Sequence, residues 1–198
     1  MAALMLQVPE ETARVLHEIP VPGQKERHDS HVTVMYLGKD VPVERIAEML
    51  PVIYDVTSKT PPFSISTSHV TNFPAGDDGV PVIARIDSPD LHKFRDALCE
   101  AFEAAELPYD KKFPVFKPHT TLAYAPDPET TVDLPIPTVS WGVGELMLWG
   151  ADRGTGRLVV KFPLSLPMAK AASTRQPLGA LYRAAVRLAM WGETSPTA

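Results

Sequence analysis

The spacing of apolar residues along the chain predicts where strands and helices lie. Alternating apolar and polar positions are typical of strands, and apolar residues every three or four positions are typical of helices. Strands are predicted over residues 5–8, 31–37, 63–71, 80–86, 120–124, 143–149 and 158–162. Helices are predicted over residues 10–18 and 43–56 and from the Ser88-Pro89 start onward, with Pro51 kinking or shortening the second helix. Because strands and helices are interspersed, this order indicates an α+β fold.

One polar pattern, His-x-Thr-apolar-x-Tyr, occurs in two of the predicted strands. It begins at His31 in HVTVMY and again at His119 in HTTLAY. Residues two apart in a strand share a face, so His31 should lie beside Thr33, and His119 beside Thr121. The same alternation sends the tyrosine that ends each copy to the opposite side, toward the core.

A third His-x-Thr begins at His69, in SHVTNFP, and shares four letters with the first copy. Its continuation differs, because Asn72 and Pro74 end the strand where the other two copies continue. A single tripeptide of this kind arises easily by chance. We therefore interpret His69 as a coincidence and pair His31 with His119.

Two His-x-Thr strands that face one cleft allow acid and base catalysis at a phosphate. The ordinary pKa of histidine is about 6.5, so one imidazole can accept a proton while the other donates one. In-line displacement at phosphorus needs both transfers. The hydroxyls of Thr33 and Thr121 can donate hydrogen bonds to the phosphoryl oxygens on which charge grows. This chemistry requires no metal and no other cofactor, and the sequence leaves the acid and the base unassigned.

The charge balance argues against long duplex nucleic acid as a partner. The 198 residues include 19 Lys and Arg and 24 Asp and Glu, which gives a net charge of −5. A small anionic ligand fits this composition better than a long polyanion. Cys99 is the only cysteine, so no intramolecular disulfide can form, and no apolar run approaches the roughly 20 residues of a membrane span. Since the first residues do not look like a signal peptide, a cytoplasmic location is expected.

In the two strands that begin at His31 and His119, the chain resembles the 2H, or two-histidine, phosphoesterase superfamily. This superfamily includes RNA 2′,3′-cyclic phosphodiesterases and the so-called 2′-5′ RNA ligases. HVTVMYLG is similar to the first signature of that family and FKPHTTLAY to the second. The resemblance implies two pseudo-symmetric lobes with concave antiparallel sheets, helices outside, and an active-site groove between the lobes. It also implies that His31, Thr33, His119 and Thr121 have the catalytic roles.

Three further residues are candidates for binding the substrate. Lys117 lies two positions before His119 and can face a phosphate, and Trp149 on a late strand can stack on a base. Tyr124 is a third candidate, although alternation places it, like Tyr36, on the core side of its strand.

Two other groups of residues have less specific interpretations. His28, Asp29 and His31 are close together like metal ligands, but the odd separation puts the two histidines on opposite faces of a strand. Cys99 lies at the edge of the apolar stripe of the third helix, so packing is favoured over a role as nucleophile. No metal site is therefore expected.

The activity expected from the sequence is metal-independent cleavage of a phosphodiester in a small cyclic nucleotide or cyclic oligonucleotide. RNA-type members often carry a Ser near Gly150 and a Tyr near Leu158, and this chain lacks both. This difference favours a cyclic nucleotide, which some phage-encoded relatives cleave to silence host defence signalling. Two alternatives stay open: an RNA-end 2′,3′-cyclic phosphodiesterase or 2′-5′ RNA ligase-like enzyme, and a module that binds a nucleotide without turnover.

Residues 1–166 are predicted to form the bilobal domain, and residues 167–198 a linker followed by an amphipathic helix. The helix pattern lies in LGALYRAAVRLAMWG. It is too short to span a membrane, which takes about 20 residues. The helix is expected to pack on its own domain, on a partner or on a membrane surface.

Overall fold

The strands form antiparallel sheets, and the helices are interspersed between them along the chain. The computed structural model describes residues 1–25, 30–112, 115–152 and 157–165. The strands are β1 (Ala2–Gln7), β2 (Gln24–Lys25), β3 (His31–Gly38), β4 (Phe63–Asn72), β5 (Val80–Asp87), β6 (His119–Ala125), β7 (Asp133–Val143), β8 (Glu145–Asp152) and β9 (Arg157–Pro163). The helices are α1 (Glu10–His17), α2 (Val43–Lys59) and α3 (Pro89–Ala104). The predicted α+β class is confirmed.

The two strands that begin with the paired histidines belong to different sheets. The first sheet has the strand order β3-β1-β8-β9, and the second has the order β2-β6-β5-β4-β7. All of these pairs are antiparallel. Strands β3 and β6 are in contact. His31 and His119 therefore begin strands that meet where the two sheets adjoin.

A continuous apolar core fills the space between the helices and one face of each sheet. Leu4 and Leu6 of β1 and Val70 and Ala84 of the second sheet are 1% exposed or less. Helices α2 and α3 contribute apolar residues at helical spacing: Ile46, Met49, Ile53, Leu91, Phe94, Leu98 and Phe102. Burying such a side chain stabilises a fold by about 1.5–3 kcal/mol. We call the opposite face of each sheet, which carries His31 in β3 and His119 in β6, the groove face.

The predicted start of α3 is confirmed by its N-cap. The Ser88 hydroxyl oxygen accepts a hydrogen bond from the Leu91 N–H at 3.2 Å and donates one to the Ser64 carbonyl at 3.1 Å. The cap satisfies a backbone donor that the first turn of a helix leaves unpaired. It also joins α3 to β4.

Strand β7 escapes prediction because Pro135 and Pro137 interrupt its pattern. Proline cannot donate a hydrogen bond to a neighbouring strand and is therefore confined to sheet edges. Strand β7 is the last strand in the order of the second sheet, where it pairs with β4. The edge position explains how an eleven-residue strand accommodates these prolines.

Helix α2 is not shortened at Pro51. It continues to Lys59, three residues beyond the predicted end, and Pro51 lies on its exposed side, where the missing N–H and the ring are tolerated. In helix α1, Leu16 is buried, whereas Val15 is 46% exposed.

The short strand β2, which precedes β3 in the chain, pairs with β6 at the edge of the second sheet. Gln24 pairs with Tyr124, and Lys25 pairs with Ala123. Gly23 has a φ of +96°, and a Cβ at this position would lie 2.3 Å from the Tyr124 carbonyl oxygen. Glycine is the residue that permits both this backbone conformation and this close approach.

The predicted linker and helix of residues 167–198 lie outside the described residues, and the boundary at residue 166 stays a prediction. The described residues include no helix that is both long enough and apolar enough to cross a membrane.

Candidate active site

The first His-x-Thr pair lies on the groove face of the first sheet. Residues opposite each other in β1 and β3 are Gln7 with His31, Met5 with Thr33, and Ala3 with Tyr36. Ala3 and Met5 are 1% exposed but do not belong to the core cluster that contains Leu4 and Leu6. The face they share with His31 and Thr33 is therefore turned away from the helices.

The second sheet repeats this arrangement around His119. Residues opposite each other in β5 and β6 are Arg85 with His119, Ile83 with Thr121, and Pro81 with Tyr124. Ile83 is buried outside the core cluster, whereas its neighbour Ala84 belongs to it. His119 and Thr121 consequently share the groove face, as their spacing predicts.

A β-bulge in each motif strand brings its tyrosine onto the groove face. The pairing register shifts after Thr33 in β3 and after Thr121 in β6, so that each strand accommodates one extra apolar residue before its tyrosine. The prediction that Tyr36 and Tyr124 face the core was wrong, because simple alternation does not allow for this residue. Both tyrosines are half-buried and lie on the face of their histidine. Tyr124 is therefore placed where a substrate-binding residue can act.

A backbone hydrogen bond holds His119 in one tautomer. The distance between His119 Nδ1 and the Lys117 carbonyl oxygen is 2.8 Å. Because a carbonyl oxygen only accepts, Nδ1 carries the proton and donates it, which leaves the lone pair of Nε2 free in the neutral ring. The ring of Phe73 packs edge-on against His119, with 4.7 Å between ring centroids.

Burial lowers the pKa of His119 below the ordinary value for histidine. Loss of hydration is the largest cause, the hydrogen bond to the Lys117 carbonyl opposes it, and the charge of His31 lowers the pKa further. The strands that carry the two imidazoles, β3 and β6, are in contact. Near neutral pH, His119 is therefore a neutral imidazole that can accept a proton.

Trp149 lies beside His31. The two ring centroids are 5.8 Å apart, and the ring planes are inclined by 38°. Trp149 is opposite Ala3 in the register of β1 and β8, which puts it on the groove face of the first sheet. The structure thus brings this predicted base-stacking residue next to the first histidine.

Lys117 contributes its backbone carbonyl, which fixes the tautomer of His119. Its side chain is exposed just before β6. That this side chain approaches a phosphate stays a prediction, and the carbonyl gives Lys117 a positioning role that its sequence position does not reveal.

His69 faces the groove of the second sheet but has a partner of its own. It lies opposite Arg85, which in turn lies opposite His119, so the three residues form one row across the sheet. The His69 imidazole pairs with the carboxylate of Asp133 from β7. Two strand spacings, about 10 Å, separate His69 from His119. That His69 takes no part in catalysis stays a prediction.

Sequence reasoning does not identify Gln7, Phe73 and Arg85 as groove residues. Gln7 ends the apolar run ALMLQ, and Arg85 interrupts the apolar run VIARI, so each is a polar residue in an otherwise buried strand. A polar residue in such a strand indicates a sheet face that is not covered by the core. Only the tertiary structure shows that the face borders the histidines.

Metal-ligating side chains do not cluster within the part of the chain that the structure describes. Within residues 1–25, 30–112, 115–152 and 157–165, no three His, Cys, Asp or Glu side chains are grouped so that they could hold a metal ion. His28 and Asp29 lie outside these ranges. Cys99 is partly buried and packs against the core, as its helical position predicts.

Sequence comparison relates this groove to a known family. The family model of the 2′-5′ RNA ligase superfamily matches residues 8–155, which is more than half of the chain and includes both motif strands. The chain belongs to the 2′-5′ RNA ligase superfamily. The expected relationship to the two-histidine phosphoesterases is thereby confirmed. No curated protein matches the sequence.

Solved structures share the fold of this superfamily member. TT0787 of Thermus thermophilus has a TM-score of 0.64 and 21% identity, over 83% of this chain and 98% of that chain. E. coli LigT complexed with 3′-AMP has a TM-score of 0.58 and 16% identity, over 83% of this chain and 94% of that chain. E. coli LigT complexed with phosphate has a TM-score of 0.54 and 19% identity, over 83% of this chain and 96% of that chain. These likenesses confirm the predicted bilobal fold.

Proposed function

We propose that this superfamily member is a phosphodiesterase in which His31 and His119 transfer the two protons. The observation that carries the proposal is their placement: each begins a strand of a different sheet, and the two strands are in contact. Each histidine also shares its face with a threonine two residues on. A phosphate between the imidazoles would meet a proton acceptor on one side and a proton donor on the other.

His119 is the proposed base, because it is neutral near pH 7 and its Nε2 is free to accept a proton. Nε2 takes a proton from the attacking water while the water oxygen forms its bond to phosphorus. His31 gives its proton to the leaving ester oxygen as that P–O bond breaks, and the product is a phosphomonoester. The hydroxyls of Thr33 and Thr121 donate hydrogen bonds to the non-bridging oxygens. Since side chains make both proton transfers, the proposed reaction is metal-independent.

The proposed substrate is a small cyclic nucleotide or a cyclic oligonucleotide. A net charge of −5 favours a small ligand over a long nucleic acid. Trp149 and Tyr124 offer aromatic surfaces on the groove face on which bases can stack. The second candidate is an RNA 2′,3′-cyclic phosphate end or a 2′-5′ linkage, which the superfamily and the fold shared with a LigT complexed with 3′-AMP favour.

The substrate class is tested by incubating the protein with 2′,3′-cyclic mononucleotides, linear 2′-5′ dimers and cyclic dinucleotides, with the products separated by chromatography. We expect turnover of at least one of these classes, unchanged by EDTA. Activity that EDTA abolishes and zinc restores would contradict the metal-independent mechanism. Binding without turnover of any substrate would favour the nucleotide-binding module instead.

Single substitutions of the three groove histidines test the catalytic pair in the same assay. His31→Ala and His119→Ala should each lower the rate by about 10²–10⁴, and the double variant should be little worse than either. His69→Ala is the matched control and should keep turnover within about threefold, since an average substitution affects mainly stability. A folded His69→Ala protein as inactive as His31→Ala would mean that the wrong histidines were paired.

A further inference from the structure

Arg85 lies immediately beside the candidate base, on the side away from His31. It is opposite His119 in the register of β5 and β6, and their Cα atoms are therefore about 5 Å apart, with side chains on one face. Strand β3 of the first sheet contacts β6, and β5 lies on the other side of β6 in the second sheet. Across the groove the order is thus His31, His119, Arg85.

The Arg85 guanidinium is free to bind a ligand. Its side chain is exposed, and no described residue makes a hydrogen bond, an ion pair or a ring contact with it. Among the described strand residues on this face, the acidic ones nearest to Arg85 along the strands are Asp87, two positions along β5, and Asp133, whose carboxylate pairs with His69. Arg85 is therefore flanked by two histidines rather than by an acidic partner.

The corresponding position in the other half of the groove is neutral. Gln7 lies opposite His31, just as Arg85 lies opposite His119. The repeat of the His, Thr and Tyr positions thus breaks at this point, since of these two matched positions only Arg85 carries a charge. A scissile phosphate bound midway between the two imidazoles does not explain a cation on the far side of His119.

We propose that Arg85 binds a second phosphate of the substrate, one nucleotide away from the phosphate held between His31 and His119. This inference rests on the proposed function, which places the scissile phosphate. A guanidinium presents paired N–H donors that match two phosphate oxygens, and such charge-assisted hydrogen bonds are stronger than neutral ones. The substrate class that this arrangement selects is an oligonucleotide, linear or cyclic, rather than a mononucleotide with a single phosphate.

The test compares ligands that differ in the second phosphate. Titration calorimetry with adenosine 3′-monophosphate, adenosine 3′,5′-bisphosphate and the dinucleotide ApAp gives the affinity of the wild-type protein and its variants. The wild-type protein should bind the two-phosphate ligands about tenfold more tightly than the monophosphate, and Arg85→Gln should lose this preference while keeping the monophosphate affinity within about twofold. Arg85→Lys should keep part of the preference, since an ammonium retains the charge but not the paired donors.

Arg45→Gln is the matched control. It removes the same charge from an exposed arginine of α2, which lies on the helix side of the sheets, and it should leave all three affinities unchanged. Equal weakening of all three ligands by Arg85→Gln, or a wild-type protein without preference for the second phosphate, would overturn the proposal.

These affinities do not depend on turnover, so they separate the two proposals. A wild-type protein that cleaves none of the substrates but shows an Arg85-dependent preference would refute the proposed activity and support the second phosphate site. A protein that cleaves a phosphodiester but shows no such preference would refute the second site alone.

Discussion

The backbone around His119 favours the role of base for this residue, whereas its sequence motif fits an acid and a base equally. Both histidines begin the same six-residue pattern, and the pattern alone leaves acid and base interchangeable. The carbonyl two residues before His119 fixes the Nδ1 proton, and burial beside Phe73 favours the uncharged ring. A neutral imidazole with a free Nε2 is the form that a general base requires near neutral pH.

The pKa of His119 is open to direct measurement by NMR titration of its imidazole signals. We expect a value below about 6.5, since burial disfavours the charged form. In His31→Ala the value should rise, because a nearby positive charge is removed, yet it should stay below the ordinary value, because burial is the larger cause. A wild-type value above the ordinary one would contradict the proposed role of His119 as base.

At the scale of elements, the bulged strands mark the limit of what alternation can predict. The sequence predicts that each histidine shares a face with its threonine, and the register of β3 and β6 agrees. It misplaces Tyr36 and Tyr124, because alternation counts residues, whereas the face of a side chain depends on hydrogen-bond pairing between strands. Two consecutive apolar residues between each threonine and tyrosine, Val34-Met35 and Leu122-Ala123, are the local sign of the extra residue.

Prolines mislead the prediction of elements in a different way. The pattern of β7 is lost at its prolines, since their effect depends on whether a strand lies inside a sheet or at its edge. That position is set by the whole fold. The same holds for β2, whose two residues are too few to show any periodicity.

The attachment of β2 to β6 is tested by Gly23→Ala. The added methyl group would lie 2.3 Å from the Tyr124 carbonyl, in a backbone conformation that side chains rarely adopt. We expect the free energy of unfolding, measured with urea, to fall by about 1–3 kcal/mol. Turnover should also fall, because β2 fastens the chain just before His31.

Gly142→Ala is the control for this experiment, since a Cβ at Gly142 meets no atom within 4 Å. It should change the free energy of unfolding by less than about 0.5 kcal/mol. Equal losses in the two variants would show that the close approach at Gly23 does not hold β2 in place.

At the scale of the whole molecule, the fold class and the paired motifs are predictable from the sequence, while the composition of the groove is not. The motifs carry enough letters to be recognised and to indicate a family. Arg85 and Gln7 carry no motif, and their relation to the histidines depends on pairings between strands that are distant in sequence. Such pairings are fixed by the packing of the complete core.

The proposed catalytic groups all lie within residues 1–165, and this defines a test by truncation. Leu164 is buried, and its N–H donates to the Gly144 carbonyl at 2.8 Å, so the cut should follow it. A chain that ends at Pro167 should unfold cooperatively and keep most of its turnover on a small substrate. If the shortened protein is folded but inactive, the removed residues help to form the site.

The repeated strands also bear on the direction of cleavage. Each half of the groove presents a histidine, a threonine and a tyrosine in the same order, so a half-turn of a bound phosphate exchanges one set for the other. The repeated groups alone therefore do not determine which oxygen enters and which departs. That polarity has to come from the residues that differ between the halves, the Lys117 carbonyl and the Gln7–Arg85 difference among them. For a 2′,3′-cyclic phosphate, the ratio of 2′- to 3′-monophosphate product reports directly on this asymmetry.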